Sequence, residues 1–265
     1  MPHPVLDQPE VLRGIFHPRP EYALIPSAAG VHSVPVEVES GITVGARLYA
    51  AEPEAPAILY WHGNGEIAAD YDGIAPMYTR LSITLLVADF RGYGRSDGTP
   101  TCSSLLTDAV TVFEALGPVF QDHGLAPSRI YVMGRSLGSA AAIDVALHAG
   151  EQLAGLIVES GFADTFALLS RLAVRLEAPD EARDGFDNAT KISRITIPTL
   201  IIHGQDDLLI PAADGQELYR RSAAGHKQLV LIPGAGHNNL MMVGRDQYFQ
   251  AIDTFVQAQS GGQDL

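Results

Sequence analysis

A serine between two glycines, a pair of adjacent aspartates and a histidine in a glycine-rich turn are the residues of this chain best suited to chemistry on a carbonyl group. The serine stands in Gly134-Arg135-Ser136-Leu137-Gly138, directly after the apolar run Ile130–Met133 and before the small-residue stretch Ser139–Ala142. A strand, a sharp turn and then a helix would lift the Ser136 hydroxyl above a sheet edge. It would stand there at a helix N-terminus, whose amides favour developing negative charge. The two glycines let strand and helix pass where side chains would clash. Ordinary loops also produce this five-residue pattern; the flanking strand and alanine-rich helix are what mark a nucleophile elbow.

A serine hydroxyl attacks a carbonyl only when a base takes its proton. Where a nucleophile elbow is used, the partners follow in the chain order serine, acid, histidine. Two apolar runs supply candidates. Leu200–Ile202 leads into His203-Gly204-Gln205-Asp206-Asp207, and Leu229–Ile232 leads into Pro233-Gly234-Ala235-Gly236-His237. All lie at the C-terminal ends of expected parallel strands, where open α/β sheets carry their sites. His237 is the expected general base. On physical grounds either Asp206 or Asp207 could orient it, and a helix-capping carboxylate is the plainer alternative for both. His203 reads as structural, a neutral imidazole bonded to loop carbonyls.

Acyl transfer also needs amides aimed at the developing oxyanion. Leu137, following the nucleophile, offers one. The second is expected from Asn64, in His62-Gly63-Asn64-Gly65 after the run Ala57–Trp61, with His62 bracing that loop. The glycine-rich stretch Asp89–Gly98 departs from a dinucleotide fingerprint, because its third glycine falls one residue late, and no phosphate-loop lysine accompanies it. It reads as a loop shaping the site, and no cofactor is expected. The histidines show no paired helical spacing of a metal site, so no metal is expected either.

The elements that must position these residues alternate regularly. Strands are expected at Ala57–Trp61, Ile83–Val87, Ile130–Met133, Leu156–Val158, Thr199–Ile202 and Leu229–Ile232, with helices at about 67–81, 104–122, 137–149, 212–223 and 246–259. Near-continuous apolar strands are covered on both faces, as in a parallel sheet. Val34–Glu39 and Ile42–Tyr49 alternate around Ser40-Gly41 and suggest a leading antiparallel hairpin. No repeat or linker divides the chain, so residues 1–265 are expected to form one domain. The excursion 161–195 breaks the rhythm, helical over Phe166–Leu176 and turn-like over Ala178–Asn188, and reads as a short lid.

Composition narrows the partners. With 17 basic against 31 acidic residues the formal charge is −14, which disfavours nucleic acid and anionic membranes. No apolar stretch approaches the ~20 residues that span a bilayer. The single cysteine, Cys102, and opening residues without a signal-peptide pattern make a cytoplasmic location the expectation. The tail 260–264 has nothing to bury and is expected to be unstructured. Nothing in the sequence indicates an oligomeric state.

Taken together, His62–Gly65, Asp89–Gly98, Gly134–Gly138, His203–Asp207 and Gly236-His237 resemble the α/β-hydrolase superfamily, in particular its small-lid serine-aminopeptidase-like and depalmitoylase-like branch. The resemblance implies an α/β-hydrolase fold, a mostly parallel sheet of about eight strands with helices on both faces. It also implies Asp207 as the acid. Ser136, Asp207 and His237 would then cleave a carboxylic ester or thioester through an acyl-enzyme, with a small-molecule acyl substrate of short or medium chain. Peptidase members carry a larger cap with acidic residues that grip an amino terminus, and 161–195 is short for that. Phe162, Phe166, Leu169 and Leu208 could line an acyl pocket or equally pack the lid onto the domain. The alternatives are a hydrolase of lipidated protein and a non-catalytic binding module on the same fold. Dehalogenase chemistry would require aspartate at position 136.

Overall fold

A computed structural model describes residues 3–21, 30–177 and 179–258; the 260–264 tail and Ala178 lie outside them. Eight strands, β1 (Val31–Glu39), β2 (Ile42–Tyr49), β3 (Ala57–Trp61), β4 (Thr84–Ala88), β5 (Ile130–Arg135), β6 (Gly155–Glu159), β7 (Thr199–Gly204) and β8 (Lys227–Ile232), form one open sheet. Their order is β1-β2-β4-β3-β5-β6-β7-β8. The hairpin β1–β2 is antiparallel and joins antiparallel to β4, and every later pairing is parallel.

The described helices are α1 (Pro9–Ile15), α2 (Ala75–Thr79), α3 (Cys102–Glu114), α4 (Leu116–Asp122), α5 (Gly138–Ala149), α6 (Thr165–Arg171), α7 (Glu181–Asp184), α8 (Asn188–Ile192), α9 (Ala212–Arg221), α10 (Leu240–Val243) and α11 (Arg245–Ala258). They cover both faces. Successive strand side chains point to opposite sides, so each central strand feeds two cores. Leu59, Trp61, Val132 and Val158 join Leu105, Ala141, Val145 and Leu218 of α3, α5 and α9. Ile58, Tyr60, Met133 and Ile157 join Tyr78, Tyr248, Ile252 and Phe255 of α2 and α11. That double burial is why the strands read as unbroken apolar runs.

Two expected helices are divided. Over 67–81 a 3₁₀ turn (Ala68–Gly73) precedes α2, because Asp70 Oδ2 accepts the Ile67 amide (3.1 Å) and closes the first turn on itself, while Pro76 begins the next. Over 104–122, Pro118 has no N–H to continue the ladder from α3, so the helix breaks at Ala115 and resumes as α4. The segment 161–195 contains three short helices, α6 to α8. Its first stops at Arg171, short of the expected Leu176, where Ala173 turns left-handed at φ 61°. Helix α1 has no counterpart in the expected pattern. Seven residues carry too little periodicity to be read, yet Val11 and Ile15 of α1 are buried one turn apart. Among the described residues no helix is long and apolar enough to cross a membrane.

Candidate active site

Ser136 occupies the turn from β5 into α5 with φ 52°, a left-handed conformation that costs a non-glycine residue energy and is held only by its surroundings. Those surroundings are backbone. A Cβ on Gly134 would lie 2.2 Å from the Gly138 carbonyl oxygen, and one on Gly138 would lie 2.2 Å from that of Trp61. The Ser136 amide donates to the Glu159 carbonyl at the end of β6 (2.9 Å), and its own carbonyl accepts from the Ser139 hydroxyl (2.6 Å).

The structure brings three residues into line from loops after β5, β7 and β8. His237 Nε2 is 2.9 Å from Ser136 Oγ, and His237 Nδ1 is 2.7 Å from Asp207 Oδ2. Asp207 is buried, whereas the adjacent Asp206 is exposed. The other Asp207 oxygen, Oδ1, accepts the amides of Leu209 (2.9 Å) and Ile210 (2.8 Å). Burial raises the Asp207 carboxyl, but the His237 hydrogen bond and charge, with the Ile210 amide, outweigh it and hold the group below its usual range. An ionised carboxylate only accepts, so Nδ1 carries the proton and Nε2 presents its lone pair to the serine hydroxyl. That arrangement can take a proton from Ser136 as a bond forms.

The neighbouring histidines are braces. His203 is fully buried, its Nε2 lies 2.8 Å from the Ile210 carbonyl, and burial lowers its pKa. His62 Nδ1 lies 2.8 Å from the Gly63 carbonyl, with Nε2 3.3 Å from Asp89 Oδ1 and the ring edge-on to Phe90. The Asn64 side chain is tied down. Its Oδ1 accepts from the Tyr93 hydroxyl (2.7 Å) and the His17 amide (3.0 Å), which anchors the turn beside the nucleophile.

Asn64, Ser136 and Leu137 line one small cavity of about 50 Å³, walled by Ile15 of α1, Leu168 and Leu169 of α6, Leu172, Phe186 and Leu209. Of the apolar residues singled out in the sequence, Leu169 lines it. Phe162 is fully buried behind it with its ring 5.9 Å from that of Phe186, and Phe166 packs on the core. Leu208 is 93% exposed, because the Asp207 turn sends Leu208 outward and Leu209 in. Ile15 could not be anticipated, since nothing local in the sequence links it to residues so far along the chain.

A second cavity of about 350 Å³ also reaches His237, lined by Glu66, Asp70, Tyr71, Arg135, Glu159 and Met241 among others. Its carboxylates are paired: Glu66 and Glu159 with Arg135, and Asp70 with Arg19. Nothing local in the sequence links Glu66, Arg135 and Glu159, which come together only through the order of the strands. Among the described residues no group of histidine, cysteine, aspartate and glutamate is placed to hold a metal.

Comparison with known proteins agrees with this architecture. The family model "Serine aminopeptidase, S33" matches residues 52–179 and 168–241. The human alpha/beta hydrolase domain-containing protein 17B is 31% identical over 207 residues, 75% of this chain and 65% of that protein, and its Xenopus laevis counterpart is 30% identical over the same share. The chain therefore spans just under two thirds of the length of these curated relatives. Among solved structures, the Pyrococcus furiosus esterase Pf2001 superposes with a TM-score of 0.74 at 18% identity, covering 92% of this chain and 99% of that one. Est1E of Butyrivibrio proteoclasticus, bound to ferulic acid, superposes at 0.67 and 21% identity, covering 86% and 99%. At those identities the structural likeness speaks for the fold alone. With an eight-stranded, mostly parallel open sheet and a family match across most of its length, the chain belongs to the serine aminopeptidase S33 family of the α/β-hydrolase superfamily.

Proposed function

We propose that this protein is a serine hydrolase of short-chain carboxylic esters or thioesters. The observation that carries the reading is the continuous relay from Ser136 Oγ through His237 to Asp207, at 2.9 and 2.7 Å. In this mechanism His237 takes the Ser136 proton as the hydroxyl attacks the acyl carbonyl. The amides of Asn64 and Leu137 stabilise the tetrahedral oxygen. His237 then protonates the departing alcohol or thiol, and water repeats the sequence on the acyl-enzyme.

Size argues for a short acyl group. At about 50 Å³ the cavity beside Ser136 is narrow, far smaller than the cavity of about 350 Å³ that also reaches His237. It suits a short acyl group, whereas a palmitoyl chain would require α6 or α1 to move. Charge argues for an ester over a peptide. Among the described residues the carboxylates that line the larger cavity are paired, Glu66 and Glu159 with Arg135 and Asp70 with Arg19, which leaves them poorly placed to hold a substrate ammonium group. In this reading 161–195 serves as a short lid, residues 1–265 act as one domain, and the enzyme works in the cytoplasm without a cofactor.

A depalmitoylase-like hydrolase of lipidated protein is the second reading, favoured by apolar side chains exposed at the rim: Leu208, Met242 (83%) and Val243 (48%). A panel of p-nitrophenyl esters and acyl thioesters of graded length tests both. The proposal predicts kcat/KM highest at about two to four acyl carbons, in keeping with the narrow cavity. Rates that rise steadily to long chains would favour the second reading.

A further inference from the structure

The two loops that flank Ser136 are tethered to it by one side chain. Arg135, the residue before the nucleophile, is buried, and its guanidinium reaches three ways. Nη2 donates to the His237 carbonyl (2.8 Å) and to Asn238 Oδ1 (3.1 Å). Nη1 donates to Glu66 Oε1, and Nε lies 3.3 Å from Glu159 Oε1. Glu66 extends the tether: its Oε2 accepts the Gly63 amide (2.9 Å), beside Asn64, and the Tyr71 hydroxyl (2.9 Å). Glu159 Oε2 is held by the hydroxyls of Tyr60 (3.0 Å) and Tyr248 (2.8 Å), while its backbone carbonyl takes the Ser136 amide (2.9 Å).

Resting on the serine-hydrolase reading, we infer that Arg135 is a positioning residue that holds the His237 loop and, through Glu66, the Gly63–Asn64 turn in register with the nucleophile.

Three observations support this. The base, the oxyanion turn and the nucleophile come from the ends of β8, β3 and β5. The Arg135 fork is a direct side-chain link from the nucleophile's own strand to both of the other loops. A planar guanidinium with five donors suits that task, whereas an ammonium is a single point charge. Burying one arginine with two carboxylates also costs desolvation that well-packed apolar residues of like volume would avoid. Burial pushes the Glu159 carboxyl up despite Arg135, while Arg135 holds the Glu66 carboxyl down against its own burial. The cluster's contacts converge on the reacting residues.

The test is steady-state kinetics on p-nitrophenyl acetate, the second-order rate of fluorophosphonate labelling, and thermal melting. These are measured for wild type, Arg135→Met, Arg135→Lys, Glu66→Gln, Asn238→Ala and the double variant Glu66→Gln/Arg135→Met. Displacing a reacting group by about 1 Å costs up to ~100-fold. Arg135→Met is therefore expected to lose ~10- to 100-fold in kcat with KM within about twofold, and labelling should slow in parallel. Arg135→Lys should recover little of this, although it restores the charge. The double variant should be no slower than Arg135→Met alone, because both act through one tether. Should the Arg135 variants fail to fold, the exposed Asn238 decides the matter, with Asn238→Ala expected to lower kcat severalfold while melting near wild type. Folded variants with wild-type kcat, effects confined to KM, or full recovery by lysine would overturn the inference while leaving the serine-hydrolase reading intact. A wild type that fluorophosphonate does not label would overturn both.

Discussion

Replacing Asp207 by asparagine tests the relay with almost no change in shape. The outcome follows from what each Asp207 oxygen does. Oδ1 accepts two backbone amides, Leu209 at 2.9 Å and Ile210 at 2.8 Å, so the carbonyl of the new amide must occupy that place. The NH₂ group then takes the place of Oδ2, 2.7 Å from His237 Nδ1, and donates where the carboxylate had accepted. His237 must answer with a lone pair on Nδ1, which moves its proton to Nε2. There it faces Ser136 Oγ at 2.9 Å and can no longer take the hydroxyl proton. The same inversion in a Ser-His-Asp triad costs about 10⁴ in kcat, or about 5.5 kcal/mol in the barrier. Stopped-flow or steady-state hydrolysis of p-nitrophenyl acetate near neutral pH, with a melting curve to verify the fold, measures it. A folded Asp207→Asn enzyme within about tenfold of wild type would refute the orienting role of Asp207 and the tautomer argument with it.

Other consequences follow from the same geometry. Gly138→Ala should prevent stable folding, because its Cβ would lie 2.2 Å from the Trp61 carbonyl oxygen, and neither backbone can yield; soluble protein with a wild-type melting temperature would contradict this. Leu168→Ala, which removes part of the cavity wall at about 2–5 kcal/mol in stability, should shift the optimum in the acyl-chain panel toward longer esters. An unchanged chain-length profile would mean the acyl group sits elsewhere. Because the folded Asp207 carboxyl lies below its ordinary range, its contribution to stability is present above about pH 4 and lost as pH falls through the folded value. The melting-temperature gap between wild type and Asp207→Asn should therefore narrow between pH 7 and pH 3, and a widening gap would reverse the assigned sign.

The central strands were legible because burial on both faces leaves no polar alternation to confuse the reading. Ser136 and His237 stand out as candidates because motif and strand-end placement coincide, whereas the preference for Asp207 over Asp206 rests on the family resemblance alone. The failures have physical causes. Pro76 and Pro118 each break a segment that periodicity alone joined. Leu208, expected to line the pocket, points outward because the direction of a side chain after a turn depends on which amides the Asp207 carboxylate captures. Helix α1 was missed because a short amphipathic turn carries little signal, yet its Ile15 closes the cavity beside the nucleophile. The Arg135 cluster illustrates a different limit. Its members lie at positions 66, 135, 159 and 237, and only the register of β3, β5, β6 and β8 brings them together.

The central claim is that Ser136 is an activated nucleophile, and intact mass after fluorophosphonate treatment tests it most directly. The account predicts one phosphonyl adduct on the wild type and none on Ser136→Ala. No adduct on either protein, or an equal adduct on both, would contradict it, and a non-catalytic role for this fold would take its place.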